Sequence, residues 1–265
     1  WHVRRYGDPA EFGYEDLVPL FKAEKWDHEA LVRFFKDNGA RFIMPVACHH
    51  DNPDMFNNDS PYPRIGTGKG LGIKLFTDYL SRDRKENDGK QTVVLSFKDG
   101  NADRRAFTYN LERGSAADIK PEPWMWATDV SGGWFYRKAA ANRMSIPVMV
   151  GNAVDAISKN GVVMLNVALR GDGTLPENQA AYLVAIGDFL RVNGEGIYGT
   201  RPWETFGEGP LKMKDGRQGE NHQAFSPQDI RFTQKDGVLY AFVLEPPTDD
   251  IVIKTLASGG LLGRE

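Results

Sequence analysis

The stretch DHEALVRFFKDNGARFIMPVACHHD, residues 27–51, combines a helix pattern with a strand pattern that follows it at once. Asp27 can cap the N-terminus of a helix over residues 28–38, and Gly39 suits the left-handed residue that ends a helix. The apolar run over residues 41–47 then predicts a buried strand. Because a helix that leads directly into a strand is the repeating unit of parallel α/β folds, this stretch predicts that class.

Two histidines and an acid, His49, His50 and Asp51, follow this predicted strand. A (β/α) barrel carries its catalytic groups at the C-terminal ends of its strands, so this loop predicts a functional site. The alternative is that a histidine caps the strand or pairs locally with Asp51. A zinc site needs at least three ligands, and the other histidines have no ligand spacing with this pair, so we predict no metal.

The rest of the chain continues the alternation of helices and strands. Further helices are predicted over residues 70–83, 146–159 and 176–192, and further strands over residues 92–97, 106–110, 162–169 and 251–255. The run over residues 162–169 is apolar apart from Asn166, which is typical of a strand that is buried on both faces.

The composition of the chain changes after Trp203, where Gly, Pro and polar residues become frequent. Further on, Lys235-Asp-Gly237 separates two apolar runs and predicts a β-hairpin. We therefore expect a barrel domain over residues 1–203, followed by a linker and a small β appendage over residues 204–265.

The overall composition restricts the classes of function. With 265 residues, of which 41% are hydrophobic, the chain is long enough for the core of one barrel. The net charge of −3 gives no indication of nucleic-acid binding, and no apolar run reaches the ~20 residues that span a membrane. No nucleotide-binding glycine motif is complete, so no cofactor is expected. The one cysteine, Cys48, excludes an intrachain disulfide and leaves a periplasmic, secreted or cytoplasmic location open.

Several short motifs occur in a fixed order along the chain. They are residues 12–27, Asn110-Leu-Glu-Arg-Gly114, residues 119–124, 158–167 and 171–174, and Asn193-Gly-Glu-Gly-Ile-Tyr-Gly-Thr-Arg-Pro-Trp203. This series resembles the catalytic domain of the α-L-fucosidases of glycoside hydrolase family 29, over residues 3–245. The resemblance implies an enzyme that removes terminal α-L-fucose with retention of configuration. It also implies a fucosylated glycan or a small fucoside as the partner molecule.

The resemblance implies roles for individual residues. Glu112, within Asn-Leu-Glu-Arg-Gly, matches the general acid/base, and His49 and His50 match a sugar-binding pair. Trp134 matches an aromatic residue that packs against the methyl side of fucose. A glutamate just beyond a strand end can be partly desolvated, which would raise its pKa toward that of a general acid. The alternatives are an ordinary ion pair of Glu112 with Arg113, and core packing of Trp134.

One part of the family pattern has no counterpart in this chain. Residues 57–64 run directly into residues 65–70, without the strand whose terminal aspartate attacks the sugar. By this comparison about three of the eight strands of a barrel are missing. Asp51, Asp54 and Asp99 lie near candidate strand ends, but none matches the family motif, so no nucleophile is named.

We therefore expect an α/β fold with an incomplete (β/α)8 barrel of the TIM type and a short C-terminal β appendage. An incomplete barrel exposes unpaired strand edges, which another copy of the chain would cover. A homo-oligomer is thus expected, unless the missing segments are only absent from this chain. The alternative function is a non-catalytic fucose-binding or assembly protein that has lost the nucleophile. Glu112 favours the enzyme, because a protein that only binds sugar has no need of an acid/base.

Overall fold

The computed structural model describes residues 2–13, 15–44, 80–92, 94, 96–98 and 108–257. The helices, in chain order, are α1 (His2–Tyr6), α2 (His28–Asp37), α3 (residues 80–86), α4 (Ile146–Ser158) and α5 (Glu177–Asn193). The strands are β1 (Ser96–Phe97), β2 (Thr108–Glu112), β3 (Trp124–Asp129), β4 (Gly161–Asn166), β5 (Arg201–Glu208), β6 (Ile230–Lys235) and β7 (Val238–Val243). Short 3-10 helices lie at Glu15–Leu20, Gly194–Gly196 and Lys254–Leu256.

The chain divides into two compact units. One unit comprises residues 1–26, 40–95 and 171–173, and the other comprises residues 27–39, 96–170 and 174–265. In the first unit, the Asp83 carboxylate accepts hydrogen bonds from the backbone N–H of Thr92 at 2.7 Å and from the Asn87 amide at 3.0 Å. These bonds close the turn that follows α3. The second unit contains both sheets.

The helix α2 forms as its sequence predicts. The Asp27 carboxylate accepts a hydrogen bond from the backbone N–H of Ala30 at 2.9 Å and caps the N-terminus. Gly39, just past the other end, has a φ of +92°. A Cβ at this position would lie 2.6 Å from the hydroxyl oxygen of Tyr198, so both the backbone conformation and the available space require glycine.

The predicted strand over residues 41–47 is wrong for its described part, residues 41–44. These residues belong to no strand, and their side chains, three of them large and apolar, are exposed. Apolar side chains alone do not make a strand, because the backbone groups need a neighbouring strand, and neither described sheet includes this segment. Residues 45–47 and the loop with His49 and His50 lie outside the described residues.

The first sheet of the second unit is parallel, with the strand order β1-β2-β3-β4. The helix α4 lies between β3 and β4 in the chain, α5 follows β4, and both helices pack against one face of the sheet. The helices predicted over residues 146–159 and 176–192 are therefore confirmed. So is the α/β class, and the described residues supply four of the parallel strands that a barrel of eight would contain.

The burial of the parallel strands differs from the prediction. The predictions contain no counterpart of β3, yet all of its residues are buried, because it lies between β2 and β4 and packs into the core. The strand β4 was expected to be buried on both faces and is only half-buried. In the described sheet β4 has a neighbour on one side only. Position in the sheet, rather than apolar content, therefore decides the burial of these strands.

The second sheet is antiparallel, with the strand order β5-β6-β7. The predicted hairpin is confirmed, and its turn residues Asp236 and Gly237 have φ values of 51° and 81°, as a type I′ turn requires. The predictions missed β5, because Pro202 and Gly207 disfavour a regular strand, and the register shifts between them. Residues 251–255 do not form the predicted strand.

A buried group of charges joins the second sheet to α4. The Asp155 carboxylate of α4 accepts hydrogen bonds from Lys159 Nζ at 2.8 and 2.9 Å and from Arg231 Nε of β6 at 2.6 Å. Both cations lie over the ring of Phe206 in β5, at 4.4 and 5.4 Å from its centroid. Burial lowers the pKa of Lys159, and the attraction of Asp155 opposes this shift. Both sheets pack on α4. The expected domain boundary after residue 203 stays a prediction.

Candidate active site

Polar side chains occupy the carboxyl edge of the parallel sheet, where each strand ends. They are Lys98 after β1 and the last residues of the next three strands, Glu112, Asp129 and Asn166. Neighbouring residues of a strand point to opposite faces of the sheet. Because Leu111 and Leu165 face the helices, Glu112 and Asn166 face the other side. This face and this edge are where a (β/α) barrel carries its reactive groups.

Glu112 forms an ion pair with Lys98, the residue that follows the neighbouring strand β1. Its Oε2 accepts a hydrogen bond from Lys98 Nζ at 2.7 Å, and its side chain is 24% exposed. This hydrogen bond is the largest cause of the lowered pKa of Glu112, and burial acts in the opposite direction. The positive charges of Lys98, Arg113 and Arg217 lower the pKa further. The expectation that desolvation raises the pKa is therefore wrong for the free chain, because these cations outweigh burial.

Arg113 does not pair with Glu112, although it follows it in the chain. With a φ of 47°, Arg113 adopts the left-handed conformation, and its Nε and Nη2 donate hydrogen bonds to Asp129 Oδ2 at 3.1 and 2.5 Å. The other oxygen of Asp129 accepts a hydrogen bond from the backbone N–H of Gly133 at 2.5 Å. Asp129 is fully buried, and both of its oxygens are occupied. It therefore holds Arg113 and the loop after β3 in place, and its burial keeps it out of reach of a sugar.

Trp134 lies on this loop, beside the cations that surround Glu112. The Arg113 guanidinium is 4.8 Å from its ring centroid, and Lys98 Nζ is 5.8 Å from it. The backbone carbonyl of Trp134 accepts a hydrogen bond from Asn166 Nδ2 at 3.0 Å. The ring is half-buried and is not part of the apolar core. The structure thus brings Trp134 and Glu112 to the same cations, and their roles toward a sugar stay predictions.

Part of the segment between β5 and β6 runs along the chain that follows β2. Ser115 and Gly216 form a β-bridge, with N–H to O distances between the backbones of 3.0 and 3.1 Å. The backbone N–H of Gln218 donates to the carbonyl of Glu112 at 3.2 Å. Arg217 donates to the carbonyl of Lys98. This stretch, which was expected to be only a linker, therefore borders the candidate site.

The remaining predicted site residues cannot be placed. His49 and His50 lie outside the described residues, as do the carboxylates Asp51, Asp54 and Asp99. Within the described ranges, no group of three or more His, Cys, Asp or Glu side chains could hold a metal ion. The same part of the chain contains no helix with the length and apolar character needed to cross a membrane.

Sequence reasoning missed Lys98 and Asp129 as site residues. The signal for Asp129 was its place at the end of Trp124-Met-Trp-Ala-Thr-Asp129, but recognising it required β3 to be predicted. The signal for Lys98 was its place directly after a predicted strand. Nothing local to either residue indicated which charged group it would contact.

Comparison with known proteins indicates a family. The family model described as Alpha-L-fucosidase matches residues 1–65 and 73–195. The residues left out, 66–72, adjoin the point where the missing strands were expected. The chain is 26% identical over 182 residues to tissue alpha-L-fucosidase of Rattus norvegicus, a match that covers 66% of this chain and 36% of the rat protein.

A second relative contains residues, within the region that matches, that this chain lacks. The chain is 24% identical to alpha-L-fucosidase of Dictyostelium discoideum, a match that covers 96% of this chain and 69% of that protein. The alignment extends over 339 positions, more than the 265 residues of this chain. The Dictyostelium protein therefore has residues within the matched region that have no counterpart here.

Solved structures show the same fold. Thermotoga maritima alpha-fucosidase in complex with fucose superposes with a TM-score of 0.67 at 21% identity, over 93% of this chain and 71% of that one. Another alpha-L-fucosidase structure gives a TM-score of 0.69 at 21% identity, with 93% of this chain and 70% of the other covered.

Proposed function

The chain belongs to the α-L-fucosidase family, and from that premise we propose that it hydrolyses terminal α-L-fucose from a glycan or a small fucoside. The observation that carries the proposal is the position of Glu112 at the carboxyl end of β2, next to Lys98 and close to the half-buried ring of Trp134. A carboxyl group is one of the two that this reaction needs, and the ring of Trp134 offers an aromatic face on which a sugar can pack. Hydrolysis by carboxyl groups requires neither a cofactor nor a metal.

We propose that Glu112 is the general acid/base of a retaining mechanism. In such a mechanism one carboxyl group protonates the leaving oxygen, and a second one, roughly 5–5.5 Å away, attacks the sugar. In the free chain Lys98 holds Glu112 as a carboxylate, the form that activates water in the second half of the reaction. A sugar packed on Trp134 would take the place of Lys98 Nζ there. Loss of that hydrogen bond would let the pKa of Glu112 rise for the acid step.

His49 and His50 are proposed to bind the hydroxyl groups of fucose, since neutral imidazoles both donate and accept hydrogen bonds. Replacement of either residue by alanine is expected to weaken fucose binding by about 1 kcal/mol or more, the net contribution of a hydrogen bond. Calorimetric titration with fucose measures this, and His28→Ala, an exposed histidine at the start of α2, is the control. Unchanged affinity in both variants would remove the pair from the site, and loss of folding would favour a structural role.

The nucleophile is proposed to come from outside the described residues or from another copy of the chain. Asp129, which ends the strand next to that of Glu112, is fully buried, and its oxygens already accept hydrogen bonds from Arg113 and Gly133. A homo-oligomer would cover strand edges that an incomplete barrel exposes, and it could bring a carboxylate of one copy near Glu112 of another. The lack of a matching nucleophile among the described residues also supports the second candidate function, a fucose-binding protein without catalysis.

Hydrolysis of a chromogenic α-L-fucoside, measured together with light scattering, tests these proposals. We expect chromophore release by a dimer or larger closed oligomer at micromolar concentration. Fucose binding without any hydrolysis would select the non-catalytic candidate, and an active monomer would reject assembly. An active monomer would also require a nucleophile within this chain, and Asp51, Asp54 and Asp99 would then be the first residues to replace.

A further inference from the structure

Glu220 belongs to the segment between β5 and β6, yet its side chain is buried beside the candidate site. Its Oε2 accepts a hydrogen bond from Trp126 Nε1 at 3.1 Å, and its Oε1 accepts one from Arg143 Nε at 2.5 Å. The side chain is 1% exposed. His222 lies at the rim, with its Nε2 at 3.5 Å from Oε1. A buried carboxylate is costly unless it is paired and hydrogen-bonded, and here Arg143 and Trp126 meet that requirement.

A series of alternating charges runs from Glu220 to Trp134, the aromatic side chain of the candidate site. The Arg143 guanidinium that pairs with Glu220 also lies 3.8 Å from Asp129 Oδ2. The same oxygen accepts both hydrogen bonds from Arg113, whose guanidinium lies over the ring of Trp134. Arg143 therefore lies between the carboxylates of Glu220 and Asp129, and Asp129 lies between the guanidinium groups of Arg143 and Arg113. The ring of Trp134 ends the series.

A second connection runs through the backbone. The N–H of Glu220 donates a hydrogen bond to the carbonyl of Arg113 at 3.1 Å, two residues after Gln218 binds the carbonyl of Glu112. The left-handed Arg113 is thus held by its own carbonyl and by its guanidinium, and both connections lead back to Glu220. Of the two connections, the one through Arg143 and Asp129 depends on the negative charge of Glu220 and on its position.

We infer that Glu220 is a positioning residue of the proposed fucosidase site, which fixes Arg113 and Trp134 beside Glu112 through Arg143 and Asp129. The inference rests on the proposed function for its catalytic consequence, but the fixed position of Trp134 is a property of the chain alone. Nothing in the geometry lets Glu220 touch a sugar, since its oxygens are occupied by protein groups.

The main variant is Glu220→Gln, which keeps an oxygen acceptor for Trp126 Nε1 and removes the charge opposite Arg143. The matched control is Asp215→Asn, because Asp215 lies in the same segment and pairs with Lys120 at 2.6 Å, but its side chain is 58% exposed. The first readout is acrylamide quenching of the Trp134 fluorescence, obtained by subtracting the spectrum of the same protein that also carries Trp134→Phe. The second readout is steady-state hydrolysis of an α-L-fucoside.

We expect Glu220→Gln to make Trp134 more accessible to acrylamide and to lower kcat by about 10-fold or more. The reason is that a displaced Trp134 would no longer hold the sugar in the reactive position. Asp215→Asn should match the parent in both readouts. A folded Glu220→Gln variant with the quenching of the parent would overturn the inference. If a parent without hydrolysis shows the proposed function to be wrong, the quenching comparison still decides the positioning of Trp134.

A variant that keeps the charge covers the case in which Glu220→Gln does not fold. Glu220→Asp retains the negative charge but shortens the side chain by one methylene, so Trp134 quenching between that of the parent and of exposed tryptophan is expected. Quenching equal to the parent in this variant would count against the inference. Loss of folding in both variants would also overturn it, because Glu220 would then serve the whole fold instead of the site.

Discussion

Replacing Glu112 with glutamine is expected to lower the turnover of α-L-fucosides that have poor leaving groups by about 10²-fold or more, the usual contribution of general acid catalysis. Glutamine has nearly the shape of glutamate but cannot donate its proton to the leaving oxygen. The contact with Lys98 becomes a hydrogen bond to an amide oxygen, so the local structure should be preserved. Steady-state kinetics on a natural fucoside measure the loss.

A substrate with a good leaving group provides the control, because it needs less protonation and should lose less activity. Equal activity of variant and parent on the natural fucoside would remove Glu112 from the mechanism. A second control uses pH. The general acid works in its protonated form, so activity falls as pH rises through the pKa of Glu112. Since Lys98 lowers that pKa in the free chain, Lys98→Met should move the fall in kcat/KM, which reports the free enzyme, to higher pH, and this shift should vanish in the Glu112→Gln background.

The second large effect concerns stability and is expected at Asp155. Asp155→Ala removes the one carboxylate that Lys159 and Arg231 share, and it leaves two buried cations beside each other without the carboxylate that pairs with both. Breaking a buried ion pair by removing one partner typically costs 3–5 kcal/mol, so we expect the free energy of unfolding to fall by about that amount. Urea denaturation followed by fluorescence measures the change, in parallel with Asp155→Asn, which keeps the shape and loses the charge.

The control for this prediction is an exposed ion pair. Glu177, whose side chain is 86% exposed, pairs with Arg170 at the surface, and such pairs contribute roughly 0–1 kcal/mol. Glu177→Gln should therefore change the free energy of unfolding little. If Asp155→Ala lost no more stability than Glu177→Gln, the buried charges would not hold α4 and β6 together. The same result would make the shared core of the two sheets depend on apolar packing alone.

The sequence by itself determined the elements whose hydrogen bonds are local. The cap of Asp27 on α2, the left-handed conformation of Gly39 and the I′ turn of Asp236 and Gly237 each depend on neighbours within a few residues. For the same reason the helices α4 and α5 could be predicted, since their apolar spacing is written along the chain. The place of Glu112 at the end of β2 also followed from the sequence, within a motif that resembles a known family.

Only the tertiary structure decided which charges meet. Glu220 and Arg143 are 77 residues apart, and Asp155 and Arg231 are 76 residues apart, so no local pattern relates them. The pKa of Glu112 depends on Lys98, which follows the neighbouring strand β1, and it is lowered where burial alone would raise it. Strand β3 is buried by its central position in the sheet. Electrostatic interactions and burial depend on distance in space, which the order of residues determines only once the strands are paired.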